Sequence, residues 1–285
     1  MSRVAVVGLG AMGSRIARRL LDAEHELLVW NRTEAKAEPL VSAGAKAVGS
    51  PAEAGREADA VLTMLADAEA LREVVEGPDG IAAGADDRTT VIEMSTVGPA
   101  AISWLRGVLP EVGLLDAPVL GSLGEAESGS LQLFVGGPEE LAARWIPVLE
   151  ALGTPIHVGP LGSGAAAKLV ANATLVGTMT LLGETLALAD ALGVSRDVAF
   201  PILAMTPLAA QADRRREPLE TDEFPRRFGL ELARKDAELI VEAATNSGLD
   251  LRVLKAAADW FAEAERAGLG DRDYSEVLKA IIERP

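Results

Sequence analysis

Cysteine is absent from the 285-residue chain, so disulfides, thiolate nucleophiles and cysteine-ligated metals are excluded. Histidine is almost absent: His25 and His157 are the only two, and neither stands beside an obvious nucleophile. A zinc site, and a metal centre generally, is therefore not expected. Basic residues are few. Lys and Arg number 27 against 43 Asp and Glu, a net charge of −16. That balance argues against nucleic-acid partners and anionic membrane surfaces. No uninterrupted apolar stretch reaches the roughly 20 residues of a membrane helix. No basic-then-apolar leader precedes the first apolar run, and there is no internal repeat or low-complexity tract. These absences predict a soluble, cytoplasmic protein. What is abundant is core material: apolar residues make up 49% of the chain, enough for one large or two ordinary domains.

The most informative stretch is residues 4–33. An apolar run, Val4–Val7, feeds into Gly8-Leu9-Gly10-Ala11-Met12-Gly13, then a helical pattern to Leu21 and a second apolar run, Leu27–Trp30. Strand, glycine turn, helix, strand is the context that gives a G-x-G-x-x-G motif meaning. Gly8 permits a tight turn, Gly10 lets backbone approach a pyrophosphate, and Gly13 lets the helix pack on the strand. The pyrophosphate would rest on the helix N-terminus, where unpaired N–H groups and the helix dipole favour negative charge. Where an NAD site carries Asp or Glu, about 20 residues on, this chain has Asn31-Arg32-Thr33. A guanidinium can hold a 2′-phosphate bidentately and stack on adenine, with Asn31 and Thr33 adding hydrogen bonds. The pattern predicts NADPH over NADH, although Asn31 can also serve a bare ribose, so NAD is a possible second cofactor. The bland alternatives are a glycine-rich turn without ligand and, for Arg32, an ordinary surface charge.

Apolar runs recur at Ala60–Leu65, Thr90–Met94, Gly113–Asp116, Leu131–Val135 and Ile156–Val158, with helical stretches at Pro51–Ala58, Ala68–Val75, Pro99–Leu109 and Pro138–Leu149. The alternation predicts a mostly parallel, doubly wound α/β sheet. From about Gly164 strand signals cease. Ala165–Leu192 reads as one helix of about 42 Å at 1.5 Å per residue, followed by helices near Arg196–Leu203, Glu231–Ser247, Leu251–Ala267 and Tyr274–Ile282. A Rossmann domain over residues 1–161 and an all-helical domain over residues 162–285 follow, hinged near the Gly159–Gly164 run. The apolar long helix needs burial and so offers a surface for self-association. Arg214-Arg215-Arg216 and Arg226-Arg227 read as a solvated helix end and loop.

Lys168 is the strongest candidate for chemistry. It lies early in the long helix among Gly, Ser and Ala, where small neighbours leave room for a substrate. Partial burial would lower an ammonium's pKa toward neutrality, suiting proton exchange with an alcohol or carbonyl oxygen. Asn172, at i+4, shares its helix face and can orient the substrate hydroxyl or the lysine. A snorkelling lysine beside a polar helix residue is the alternative. Asp116-Ala117-Pro118-Val119-Leu120-Gly121-Ser122 ends a strand, and the carboxyl ends of strands are where such sheets bind ligands. Gly121, Ser122 and Gly124 could present N–H groups to a substrate carboxylate. Ser95-Thr96 belongs to the same rim.

Together GLGAMG at 8–13, WNRT at 30–33, STV at 95–97, DAPVLGS at 116–122, GSGAAAKLVAN at 162–172 and ARKDAEL at 233–239 resemble the β-hydroxyacid dehydrogenases, over nearly the full length and in the family's order. That family includes 3-hydroxyisobutyrate dehydrogenase and the glyoxylate/succinic semialdehyde reductases. The resemblance implies an N-terminal Rossmann domain, a helical domain entered by a long helix, and homodimers or homotetramers built through the helical domain. It implies Lys168 as catalytic acid/base and Asn172 as its substrate-orienting neighbour. Thr96 would lie near the nicotinamide ribose, and Met64, Leu65 and Ala66 would line the cofactor. Gly121 and Ser122 would hold the substrate carboxylate, and Lys235 would reach the cofactor. It gives Asp236 no chemical role. The family commonly reads DAPVSGG, whereas this chain has Leu120 and Ser122, so a hydroxyl expected at the substrate is missing; Ser122 can replace it, as in the reductase branch whose loop reads SGS, and Leu120 can make the pocket more apolar. The implied activity is NADP-dependent hydride transfer on a small β-hydroxy acid, semialdehyde or keto acid. The closely similar imine reductases are a rival reading, although they typically carry Asp or Tyr at the position of Lys168. A non-catalytic NADPH-binding protein on the same fold is another.

Overall fold

A computed structural model describes residues 2–283. The chain divides into two compact units between Lys168 and Leu169.

In the first unit strands β1 (Arg3–Val7), β2 (Glu26–Trp30), β3 (Lys46–Ala47), β4 (Ala60–Thr63), β5 (Thr90–Glu93), β6 (Gly113–Asp116), β7 (Val119–Leu120), β8 (Leu131–Gly136) and β9 (Gly153–Gly159) alternate with helices α1 (Ala11–Asp22), α2 (Glu38–Ser42), α3 (Pro51–Glu57), α4 (Ala68–Glu76), α5 (Gly98–Val108), α6 (Leu123–Ser128) and α7 (Glu139–Leu149). The spatial order β3-β2-β1-β4-β5-β6 is parallel throughout, and β8 then joins β6 antiparallel. This is the doubly wound arrangement the alternation predicts, with its strand order reversing beside β1. β1 explains itself: Val4 and Val6 enter the core on one face, Ala5 and Val7 the core on the other. A strand buried on both faces has to be apolar at every position.

The second unit follows α8 (Ser163–Ala191), whose first turn belongs to the first unit, with α9 (Arg196–Leu203), α10 (Ala209–Thr221), α11 (Leu230–Asn246), α12 (Arg252–Ala264) and α13 (Val277–Ile282). Val176, Met179, Leu182 and Leu186 of α8 pack with Phe200, Ile240, Phe261 and Leu278 in one core.

Three local expectations differ from the structure. Residues 209–221 are helical although their composition, AAQADRRREPLET, shows no apolar period; only Ala212 is buried. The helix expected to run to Ala267 leaves α geometry after Ala264, near Gly268 at φ +89°, a conformation that suits glycine. By length and composition α8 is apolar enough to cross a membrane. Lys168, Asn172 and Glu184 interrupt it and so hide this from a search for unbroken apolar runs; one side of its apolar surface is spent on the helical core.

Candidate active site

The glycine turn is held by sterics. Gly8 adopts φ +100°, and a Cβ there would strike the Met64 carbonyl; one on Gly13 would strike the Gly8 carbonyl. A Cβ on Gly10 would meet nothing within 4 Å. That open approach lies at the N-cap of α1, where no side chain caps the helix and no acid occupies the first turn, which Ala11 and Met12 begin. Free helix N–H groups, a positive dipole end and room for close approach fit a dinucleotide pyrophosphate.

Asn31 is already engaged. Its Oδ1 accepts from the Leu9 N–H at 2.9 Å and its Nδ2 donates to the Thr33 carbonyl at 3.0 Å. The amide therefore braces the glycine turn against the end of β2. Arg32 and Thr33 are exposed, and the Arg32 guanidinium lies 3.3 Å from the Glu73 carboxylate of α4. Sequence distance concealed that partner.

The loops after β1, β4 and β5 are tied together at the carboxyl edge of the sheet. The Met64 N–H donates to the Val7 carbonyl at 3.0 Å. The Leu65 N–H donates to Ser95 Oγ at 2.8 Å, and the Ser95 N–H donates to both oxygens of the fully buried Glu93 at 3.0 and 2.9 Å. Ala66 is exposed and Thr96 is half-buried. Nothing in the sequence marks Glu93 apart from its place at the end of an apolar run.

Asp116, fully buried at the end of β6, accepts from the Gly162 N–H at 2.7 Å and the Ala165 N–H at 2.6 Å. Its carboxylate thus satisfies N–H groups at the start of α8. Gly164 packs too close to admit a side chain: a Cβ there would strike the Phe134 carbonyl and Asp116. Burial pushes the Asp116 carboxyl above its usual range, and the hydrogen bonds from backbone N–H groups partly offset this. Lys168 follows three residues after Ala165, half-buried, in the same compact unit as the glycine turn.

Asn172, one turn further along α8, is 2% exposed and belongs to the second unit. Its Nδ2 donates to Asp236 Oδ2 at 2.7 Å, and the other Asp236 oxygen lies 2.9 Å from the Lys235 ammonium. One buried carboxylate therefore links two candidate residues that are distant in sequence. The adjacent Lys-Asp pair was visible, but its link to Asn172 required the packing of α11 on α8.

Leu120, the last residue of β7, is 39% exposed, and Gly121 in the loop that follows sits at φ +140°. Ser122 caps α6. Its N–H and its Oγ both donate to Glu125 Oε2, at 2.8 and 2.5 Å, in a capping box. Among the described residues no group of three or more acids or histidines could hold a metal ion.

Residues 3–162 match the NAD binding domain of 6-phosphogluconate dehydrogenase, and residues 162–281 match the NAD-binding domain of NADP-dependent 3-hydroxyisobutyrate dehydrogenase. The chloroplastic glyoxylate/succinic semialdehyde reductase 2 of Arabidopsis thaliana is 30% identical over 98% of this chain and 79% of its own length. The structure of Mycobacterium tuberculosis 3-hydroxyisobutyrate dehydrogenase with L-serine superposes with a TM-score of 0.88 at 29% identity, covering 99% of both chains. Streptomyces aurantiacus imine reductase superposes with a TM-score of 0.63 at 25% identity, over 97% of this chain and 98% of that one. With its nicotinamide-binding fold, full-length coverage and ordered motifs, the chain belongs to the β-hydroxyacid dehydrogenase family and is an NAD(P)-dependent oxidoreductase acting on CH–OH groups.

Proposed function

We propose that the protein transfers a hydride between NADP(H) and a small hydroxy–carbonyl couple, with Lys168 as the acid/base. The substrate class implied by the resemblance is a small β-hydroxy acid, semialdehyde or keto acid. The observation that carries the reading is the clamp at Asp116. It fixes the first turn of α8 against the end of β6 and so limits where Lys168 can lie.

The cofactor, when bound, supplies or accepts the hydride at its nicotinamide ring. Gly8, Gly10 and Gly13, with Leu9, Ala11 and Met12 between them, would hold its pyrophosphate. Met64, Leu65, Ala66 and Thr96 would line its nicotinamide half. Arg32 and Thr33 would take the 2′-phosphate, with Asn31 as the brace behind them. Lys235 is the helical unit's candidate for a cofactor contact. Lys168 gives a proton to the substrate oxygen during reduction and takes it back during oxidation. Asn172, its Nδ2 held by Asp236, keeps Oδ1 to accept from a hydroxyl or an ammonium. Placement and charge stabilisation are the protein's contribution.

The test is Lys168→Ala. Turnover is expected to fall by about 10² or more, the range for acid/base residues, with NADPH affinity retained by fluorescence titration. Near-wild-type turnover would refute the assignment.

Self-association as a homodimer or homotetramer is the second part of the reading. Val170, Leu181, Leu188 and Leu192 on and just after α8, and Val198 and Ile202 on α9, are exposed large apolar residues. Exposed apolar side chains spaced along one helix and its successor support a partner surface. Imine reduction is kept as a rival because Leu120 presents apolar surface in the expected substrate loop.

A further inference from the structure

We infer that Glu73 is a second residue that sets cofactor choice: it delivers from α4 the carboxylate that the end of β2 lacks, so that the chain takes NAD(H) as well as NADP(H). The inference rests on the reading of Arg32 as the 2′-phosphate residue and deepens it.

A bare adenosine ribose is recognised by an acid, a 2′-phosphorylated one by a guanidinium. None of Asn31, Arg32 and Thr33 is an acid. Asn31 has spent an Oδ1 lone pair on the Leu9 N–H and an Nδ2 hydrogen on the Thr33 carbonyl, and the bonding capacity it has left is neutral. The acid comes instead from 41 residues away: Glu73 Oε2 lies 3.3 Å from Arg32 Nη1. What places Glu73 there is the core under α4. Leu71, Val74 and Val75 are buried in the core on one face of the sheet, and Asp67 caps the helix by accepting from the Ala70 N–H at 2.8 Å. Glu73 is left on the solvent side of that anchored helix. The ion pair itself is loose. Its side chains are 83% and 59% exposed, so the pair opens at little cost. Arg32 is then free to swing onto a phosphate, while Glu73 stays where α4 holds it. An acid within reach of that guanidinium accepts from the hydroxyls of a bare ribose and repels a phosphate drawn to the same place. Discrimination of this kind comes as much from the repulsive element as from the attractive one. The neighbouring charges do not take over this role. Glu34 and Lys36, exposed in the turn after Thr33, are of opposite sign, and the Arg72 guanidinium lies over the Trp104 ring, 5.5 Å from its centroid.

The experiment reads binding from the nicotinamide fluorescence of NADPH and of NADH, each titrated with protein. Wild type should bind both, with Kd values within about thirtyfold of each other. Glu73→Gln keeps the side-chain length and removes the charge. It should weaken NADH and tighten NADPH, raising the ratio of Kd for NADH to Kd for NADPH by at least about threefold, the size of weak surface contacts of opposite sense. A variant that damaged the fold would move both Kd values in the same direction, so the ratio separates specificity from structure. Glu34→Gln, which removes the other exposed acid beside the motif, should move the ratio less than Glu73→Gln does. Wild-type Kd values further apart than about thirtyfold, a smaller rise or a fall in the ratio for Glu73→Gln, or an equal or larger rise for Glu34→Gln would each overturn the inference. Failure of the parent reading looks different: wild type binds neither cofactor, or Arg32→Ala leaves the ratio where it was, whatever Glu73→Gln does.

Discussion

Replacing Asp236 with alanine removes the carboxylate that joins Asn172 to Lys235. The loss can be worked from the geometry. Asn172 is 2% exposed, and its Nδ2 donates to Asp236 at 2.7 Å. A buried donor that loses a charged acceptor costs about 2–3 kcal/mol. The Lys235 ammonium, 2.9 Å from Asp236 on a side chain 20% exposed, can turn partly toward water, so its share is about 1 kcal/mol. The helical unit should therefore lose about 3–4 kcal/mol, within the range for breaking a buried pair from one side. Urea unfolding followed by far-UV circular dichroism measures this as a shift in midpoint at constant m. A double-mutant cycle with Asn172→Ala isolates the shared bond and should return a coupling of about 1.5–3 kcal/mol. Asp236→Asn, which keeps an acceptor for Asn172, should recover part of the loss. A coupling below about 0.5 kcal/mol would show that the two side chains act independently, and the positioning argument for Asn172 would fall with it.

Other consequences are as direct. Arg32→Asp should move cofactor preference toward NADH, since a carboxylate repels a 2′-phosphate; an unchanged NADPH-to-NADH ratio in kcat/KM removes Arg32 from the cofactor site. Burial holds the Asp116 carboxyl above its unfolded value. Its stabilising contribution is then fully present below the unfolded pKa and is lost as pH rises through the higher folded one. The stability of wild type relative to Asp116→Asn should accordingly shrink as pH rises across that acidic window; urea midpoints whose difference stays flat or grows would contradict it. Leu181→Glu, on the exposed face of α8, should shift the protein toward monomer in light-scattering chromatography, and an unaltered mass would separate that face from self-association.

Much of the architecture is legible in the sequence because it rests on local rules. The glycine turn announces itself since only glycine fits at Gly8 and Gly13, where a Cβ would meet backbone. Strands buried on both faces read as unbroken apolar runs, and the shift to an all-helical pattern marks where the sheet ends. Helix 209–221 is not legible in the sequence because a surface helix with one buried residue leaves no period to detect.

The candidate residues divide in the same way. Lys168, Asn172, Arg32 and Ser122 lie in contiguous motifs, so their types and neighbours nominate them before any coordinates exist. Their partners do not. Glu73 beside Arg32, Asp236 beneath Asn172 and Asp116 at the start of α8 are 41, 64 and 46 or more residues away along the chain. Only the packing of helices on one another and on strand ends brings them within hydrogen-bond range. Glu125 is close in sequence, yet what it does to Ser122 depends on the turn that folds it back. Residue type and spacing determine which chemistry is available. The folded chain decides which of those groups are already occupied, because a hydrogen bond or a buried charge exists only between atoms held a few ångströms apart.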